Sequence, residues 1–248
     1  MNIHWLDAET IGKSSEPEKI LSGYQGILIP GGFGEQGFEG MIKTVRFARE
    51  NGIPYLGLCY GMQIAVCEFA RNVCGLREAS TTEIHPDTPH PVITIIESQK
   101  DTLAREGYGG TMRLGGYAAI LSPDTFIYNL YDKTGRIALD REKVTRFSTD
   151  KNQHFRLGKL DTSGAVIVER HRHRYEVNPE YSDKLTEKGL VFSGYHIRED
   201  NTRLMEFMEI PGHPCFIGTQ GHPEFTSRLG RPNPLFLGFV RAMSENKR

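Results

Sequence analysis

The segment Leu56-Gly57-Leu58-Cys59-Tyr60-Gly61-Met62-Gln63 sets one cysteine between two glycines, after an apolar run and before a helical pattern. A thiolate is a nucleophile for acyl groups. Gly-x-Cys-x-Gly is the cysteine form of the nucleophile elbow, a sharp strand-to-helix turn that exposes the reactive side chain at the top of a sheet. Side chains at Gly57 and Gly61 would collide with neighbouring backbone in such a turn. At a helix N-terminus the dipole and the unpaired N–H groups favour thiolate over thiol, so a lowered thiol pKa is expected at Cys59. The competing reading is a small core cysteine in a tight turn. The two glycines, the strand before and the helix after favour the nucleophile. Cys67 and Cys74, on one predicted helix, and Cys215, opening an apolar strand, read as packing residues.

A thiol acting on an amide or ester also needs a base, a group that orients the base, and N–H donors for the oxyanion. Thr219-Gln220-Gly221-His222-Pro223-Glu224-Phe225 follows an apolar strand and offers the first two. His222 and Glu224 are two apart, so on a simple strand they share a face, and Pro223 stiffens the pair. Glu224 can accept one imidazole N–H and fix the tautomer, leaving the other nitrogen for the thiol proton. A surface His-Pro-Glu turn is the alternative. The position at a strand end, with a separate cysteine elbow in the chain, argues for chemistry. Oxyanion donors come from the Tyr60 N–H and from Gly31-Gly32-Phe33-Gly34, where glycines let backbone approach a ligand. That glycine run fits neither G-x-x-x-x-G-K-[ST] nor G-x-G-x-x-G, which weakens a phosphate-binding reading. Glu169-Arg-His-Arg-His-Arg174 has the look of a metal tract, but its alternating arginines repel a cation, so no metal is assigned.

These groups lie far apart in the chain and need a scaffold to bring them together. Residues 2–6 read as a short strand and 26–30 as a buried one, stopped by the glycine run. Residues 41–50 read as a helix with Met41, Ile42, Val45 and Phe47 apolar, and Asn51-Gly52 supplies its C-terminal stop. A buried strand over 53–58 then leads through the elbow into a helix over 61–73, ended by Gly75. Further strands are predicted over 91–96, 117–121, 165–168, 191–197, 203–209 and 215–219, and a last helix over 235–244. Residues 131–162 are polar and charged with no clear apolar period, and read as a long, mobile surface insertion. Apolar strands alternating with helices imply a mostly parallel sheet covered on both faces, here with a small antiparallel extension. The expectation is one α/β domain over residues 1–248.

The composition agrees with that class. The 248 residues are 38% hydrophobic and 25% charged, with 27 glycines and 13 prolines. This excludes a disordered, collagen-like or disulfide-scaffold chain. Thirty basic and 31 acidic residues leave a formal charge of −1, so no global field draws nucleic acid or a membrane surface. No apolar run approaches a membrane span, and the first residues carry no secretory pattern. Four cysteines without framework spacing suit reduced thiols in the cytoplasm.

Pro30-Gly-Gly-Phe-Gly34, the 56–63 elbow and His222-Pro-Glu224 resemble the three motifs of class I (triad) glutamine amidotransferases. Gly110-Thr-Met-Arg-Leu-Gly115, Ser80-Thr-Thr-Glu83 and Glu169-Arg-His-Arg-His-Arg-Tyr-Glu-Val-Asn178 narrow the resemblance to the glutaminase domain of the CTP synthase family. It covers nearly the whole chain and is weakest over 131–162. It implies the three-layer fold of that class and a reaction on L-glutamine. Cys59 would form the glutamyl thioester, His222 would act as general base and acid, and Glu224 would orient it. Gly32 and the Tyr60 amide would line the oxyanion site. Gly61, Met62, Gln63 and Glu83 would line the glutamine site, and Arg174 would hold the α-carboxylate. Glu and Arg complement the ammonium and carboxylate of a free amino acid.

The resemblance also implies parts that lie outside this sequence. They are a further strand and helix at the front, and a synthetase domain that binds ATP and Mg and aminates UTP to CTP. The family further implies a homotetramer and activation by GTP, while the glutaminase domain itself needs no cofactor. Two departures stand out. Tyr60 replaces the usual Leu, where only the backbone N–H is needed. Gly221 replaces the usual Phe, which is expected to loosen the wall beside the base. An inactive assembly module and another Cys-His γ-glutamyl hydrolase remain the alternatives.

Overall fold

The strand β2 (Tyr55–Leu58) is buried at every position and runs directly into the helix α4 (Tyr60–Asn72), with Cys59 alone between them. In the computed structural model, which describes residues 1–96, 112–160 and 164–246, β2 lies between β1 (Ile27–Ile29) and β10 (Phe216–Thr219), parallel to both. Each of these strands ends at a segment expected to do chemistry: the glycine run after β1, the elbow after β2, the His-Pro-Glu turn after β10. Parallel strands put their carboxyl ends on one edge of a sheet, where α/β proteins build their sites.

β10 continues antiparallel into β9 (Arg203–Glu209), then β8 (Val191–Ile197), β5 (Arg113–Leu121) and β6 (Ala165–His173), which completes the seven-stranded sheet. The α/β class is as expected, but within this sheet parallel pairing is confined to β1, β2 and β10. The antiparallel part is therefore larger than the sequence suggested. β8 and β9 are joined by a short turn, which permits only antiparallel pairing. A second, three-stranded sheet joins β3 (Ser80–Thr81), β4 (Pro91–Thr94) and β7 (Glu176–Val177).

Alternate residues of the central strands enter two separate cores. Tyr55, Met208 and Phe216 pack with the apolar face of α4 and with the helix α3 (Phe38–Asn51). Leu56, Phe207 and Ile217 pack on the other face, with the helices Phe126–Lys133 and Pro234–Glu245. This period of two, closed by helices on both sides, makes three layers.

Two expectations fail. Residues 2–6 form no strand, and Trp5 is exposed. The insertion expected over 131–162 is helical through most of its described part: Phe126–Lys133, Arg136–Thr149 and a 3₁₀ turn at His154–Arg156. Its buried positions include charged residues, so no apolar stripe marks them. Arg136 pairs with Asp140 at 2.9 Å and donates to the Val168 carbonyl of β6 at 2.8 Å, while Phe147 fills a small core against Ala118 and Val168.

Candidate active site

Cys59 sits at φ 50°, ψ −100°, a left-handed conformation that few non-glycine residues adopt. The elbow around it is held on all sides. The Cys59 N–H donates to the Thr219 carbonyl of β10 at 2.7 Å, and the buried Tyr55 hydroxyl donates to the Gly61 carbonyl at 2.8 Å. A Cβ at Gly57 would lie 2.6 Å from the Gly61 carbonyl carbon, and one at Gly61 would run into the Ile29 carbonyl of β1. The steric role expected of both glycines is therefore met.

His222 Nδ1 and Glu224 Oε1 are 2.6 Å apart. The two residues do not reach each other along a strand. His222 caps a 3₁₀ turn, Pro223–Phe225, that brings Glu224 back to the ring. Proline suits the first helical position, where its missing N–H costs nothing. The imidazole stacks on Phe225, with centroids 5.2 Å apart and planes at 22°. Its Nε2 is buried and has no hydrogen-bond partner among the described residues.

Gly31 sits between His222 and Cys59. A Cβ there would lie 2.7 Å from His222 Cε1 and 3.7 Å from Cys59 Cβ. The sequence pointed to Gly32. A Cβ at Gly32 would instead meet the Tyr60 ring at 3.3 Å, and the Tyr60 hydroxyl donates to the Gly34 carbonyl. The glycine loop is thereby folded over the start of α4, whose first N–H groups have no partner within the helix.

The thiol is not the preformed thiolate expected from its helix N-terminus. Cys59 is 4% exposed, and burial pushes its thiol up to about 12. The Tyr60 backbone N–H and the Gln220 side chain favour the charged form, while Glu176 and Glu224 oppose it. Loss of water is the largest cause, and the two hydrogen bonds do not offset it.

Glu83 and Arg174 both reach the site and are half-buried. Burial raises the Glu83 carboxyl, while the Gly34 N–H and the Arg174 charge oppose the shift. The Met62 side chain packs in the core, against β10 at Gly218. Only the Met62 backbone can serve a ligand. Gln63 is 4% exposed, and its Nε2 donates to the Tyr175 carbonyl at 3.0 Å and to Gln220 Oε1 at 3.1 Å. The loosened wall expected at Gly221 is not found. A Cβ there would press within 3.2 Å of Glu169 Cβ on β6. In the Gly110–Gly115 motif, residues 110 and 111 lie outside the described residues. No group of three or more His, Cys, Asp or Glu side chains among the described residues is placed to hold a metal ion.

Sequence reasoning missed Gln220, which is fully buried and donates to Cys59 Sγ at 3.6 Å. Its one signal was its place two residues before His222.

The family description "Glutamine amidotransferase class-I" matches residues 2–242. The chain belongs to the class I glutamine amidotransferases. Within that family it is 47% identical over 245 residues to a CTP synthase of Methanothrix thermoacetophila. It is 43% identical over 247 residues to a CTP synthase of Thermococcus kodakarensis. These matches take in 99% and 100% of this chain but 37% and 39% of those proteins, so the chain spans under two fifths of their length. A solved structure of the Trypanosoma brucei CTP synthase glutaminase domain with bound acivicin matches with a TM-score of 0.77 at 30% identity. That match covers all of this chain and 82% of the other. For a class I amidotransferase, the elbow, the glycine loop and the His-Pro-Glu turn are the parts in which glutamine chemistry would be sought. No helix among the described residues is long and apolar enough to cross a membrane.

Proposed function

We propose that this chain hydrolyses L-glutamine through Cys59, His222 and Glu224, releasing ammonia for the ATP-dependent amination of UTP to CTP in a larger cytoplasmic enzyme. One observation carries the reading. His222 commits one ring nitrogen to Glu224 at 2.6 Å and keeps the other buried and unpartnered, across Gly31 from Cys59.

The protein's own groups suffice for the steps. His222 Nε2 takes the Cys59 proton as the sulfur attacks the glutamine carboxamide carbon. Because the thiol is neutral at rest, proton transfer and attack are coupled. The Tyr60 and Gly32 N–H groups receive the oxyanion. His222 returns the proton to the nitrogen, ammonia leaves, and a glutamyl thioester remains on Cys59. Water, deprotonated by His222, then cleaves the thioester to give glutamate. Glu83 and the Gln63 Oε1 face the α-ammonium, and Arg174 pairs with the α-carboxylate. Met62 and Gly61 contribute backbone only. This half-reaction needs no cofactor. ATP, Mg and UTP would be bound by a synthetase domain, and a tetramer activated by GTP is what the family resemblance implies for the larger enzyme.

The test is ammonia and glutamate release from glutamine. Equal amounts of the two are expected, and Cys59→Ala and His222→Ala should each abolish release. Release that survives Cys59→Ala would overturn the reading.

A further inference from the structure

Three side chains form a directed chain of hydrogen bonds that ends on the nucleophile. It starts at the Tyr175 carbonyl, which can only accept. The group facing it at 3.0 Å must therefore be the donor end of Gln63, its Nε2. The same Nε2 reaches Gln220 at 3.1 Å, so Gln220 turns its Oε1 toward Gln63. The Gln220 Nε2 then has one direction left, toward Cys59 Sγ at 3.6 Å. The amide orientations thus follow from one backbone carbonyl. The arrangement is rigid: Gln220 is fully buried, and its own N–H donates to the Glu206 carbonyl of β9 at 2.8 Å.

A donor aimed at a buried sulfur has a chemical use. Charge develops on Sγ as the proton moves to His222, in a place where water cannot solvate it. Hydrogen bonds to a charged group are stronger than those to a neutral one, and most so away from water. A donor already in place stabilises the thiolate more than the thiol, which lowers the barrier to attack.

We propose that Gln220 is a catalytic residue that donates its side-chain N–H to the Cys59 thiolate, with Gln63 as the positioning residue that sets the direction of that donor. This rests on the reading of Cys59 as the nucleophile. It also leaves Gln63 only its Oε1 for a ligand, so toward glutamine Gln63 acts as an acceptor.

The test follows alkylation of Cys59 by iodoacetamide against pH, read on the Cys59 peptide by mass spectrometry. Wild type, Gln220→Met and Gln63→Met are compared, with melting temperature as the check on folding. Gln220→Met keeps the length and removes the donor. It should slow alkylation at neutral pH by about tenfold or more and move the pH profile upward. Gln63→Met frees the Gln220 amide to turn, and should shift the profile the same way by less. A structural role alone would change melting without moving the profile. Superimposable profiles for wild type and Gln220→Met would overturn the assignment. If Gln220→Met does not fold, an unmoved profile in Gln63→Met overturns it instead. A wild-type Cys59 that no electrophile labels at any pH contradicts the proposed nucleophile itself, which is a different failure.

Discussion

Glu224 holds His222 by one nitrogen, at 2.6 Å, and so leaves the other buried and without a partner among the described residues. Glu224→Gln keeps the shape but removes the charge that favours a protonated imidazole. It should lower kcat for ammonia release about a hundredfold with KM for glutamine little changed. Unchanged release would separate Glu224 from the base. The elbow and the His222–Glu224 pair were legible because residue type and local spacing carry them. Cys59 stands in its own elbow, and His222 lies two residues from Glu224. Gln220 was not legible, because its meaning depends on Gln63, 157 positions away in the chain. The state of the Cys59 thiol was misjudged for a related reason. Sequence shows the helix that would lower its pKa and hides the burial that raises it.

At the scale of elements, the strand–elbow–helix unit β2–α4 stores strain at Cys59 and gives up side chains at Gly57 and Gly61 to do so. Gly61→Ala should cost about 2 kcal/mol or more in denaturant unfolding, because the new methyl meets the Ile29 carbonyl rather than a movable side chain. Stability equal to wild type would show that the elbow relaxes. Gly31→Ala acts differently. Its methyl would press on the His222 ring at 2.7 Å, so turnover should be lost while the melting temperature stays within a few degrees. The helices α3 and α4 could be read from their apolar period, and the stop of α3 from Asn51-Gly52, where the structure places Gly52 at a left-handed φ of 62°. The helix Arg136–Thr149 could not, because Arg136 and Asp140 are buried by pairing rather than by apolarity. Residues 2–6 have strand-like composition but no neighbouring strand to complete a ladder.

Over the whole molecule, a buried polar cluster ties the small sheet to the large one. Arg113 on β5 donates to Glu206 on β9 at 2.6 Å and to Glu176 on β7 at 3.2 Å. His171 and His173 on β6 face the same carboxylates. One guanidinium between two carboxylates leaves an uncompensated negative charge. Burial raises Glu206 and pushes Glu176 up to about 8, so the folded protein holds a proton that the unfolded chain has released. Stability should therefore fall as pH rises through about 6.5–8, by up to 1.4 kcal/mol per unit. Burial lowers His171, His173 and His196, whose effect has the opposite sign and acts below their ordinary value of 6.5. Denaturant titrations across that window should show the loss, and Glu176→Gln should flatten it. A flat wild-type profile would mean that the cluster holds no proton. The central claim is one of convergence, since Gly31, Cys59 and His222 come from opposite ends of the chain. Its most direct measurement is incubation with a glutamine-analogue electrophile such as acivicin, followed by peptide mass spectrometry. One adduct per chain is predicted, on Cys59, with excess glutamine slowing its formation and Cys59→Ala abolishing it. Labelling at Cys67 or Cys215, or no adduct at all, would contradict the account.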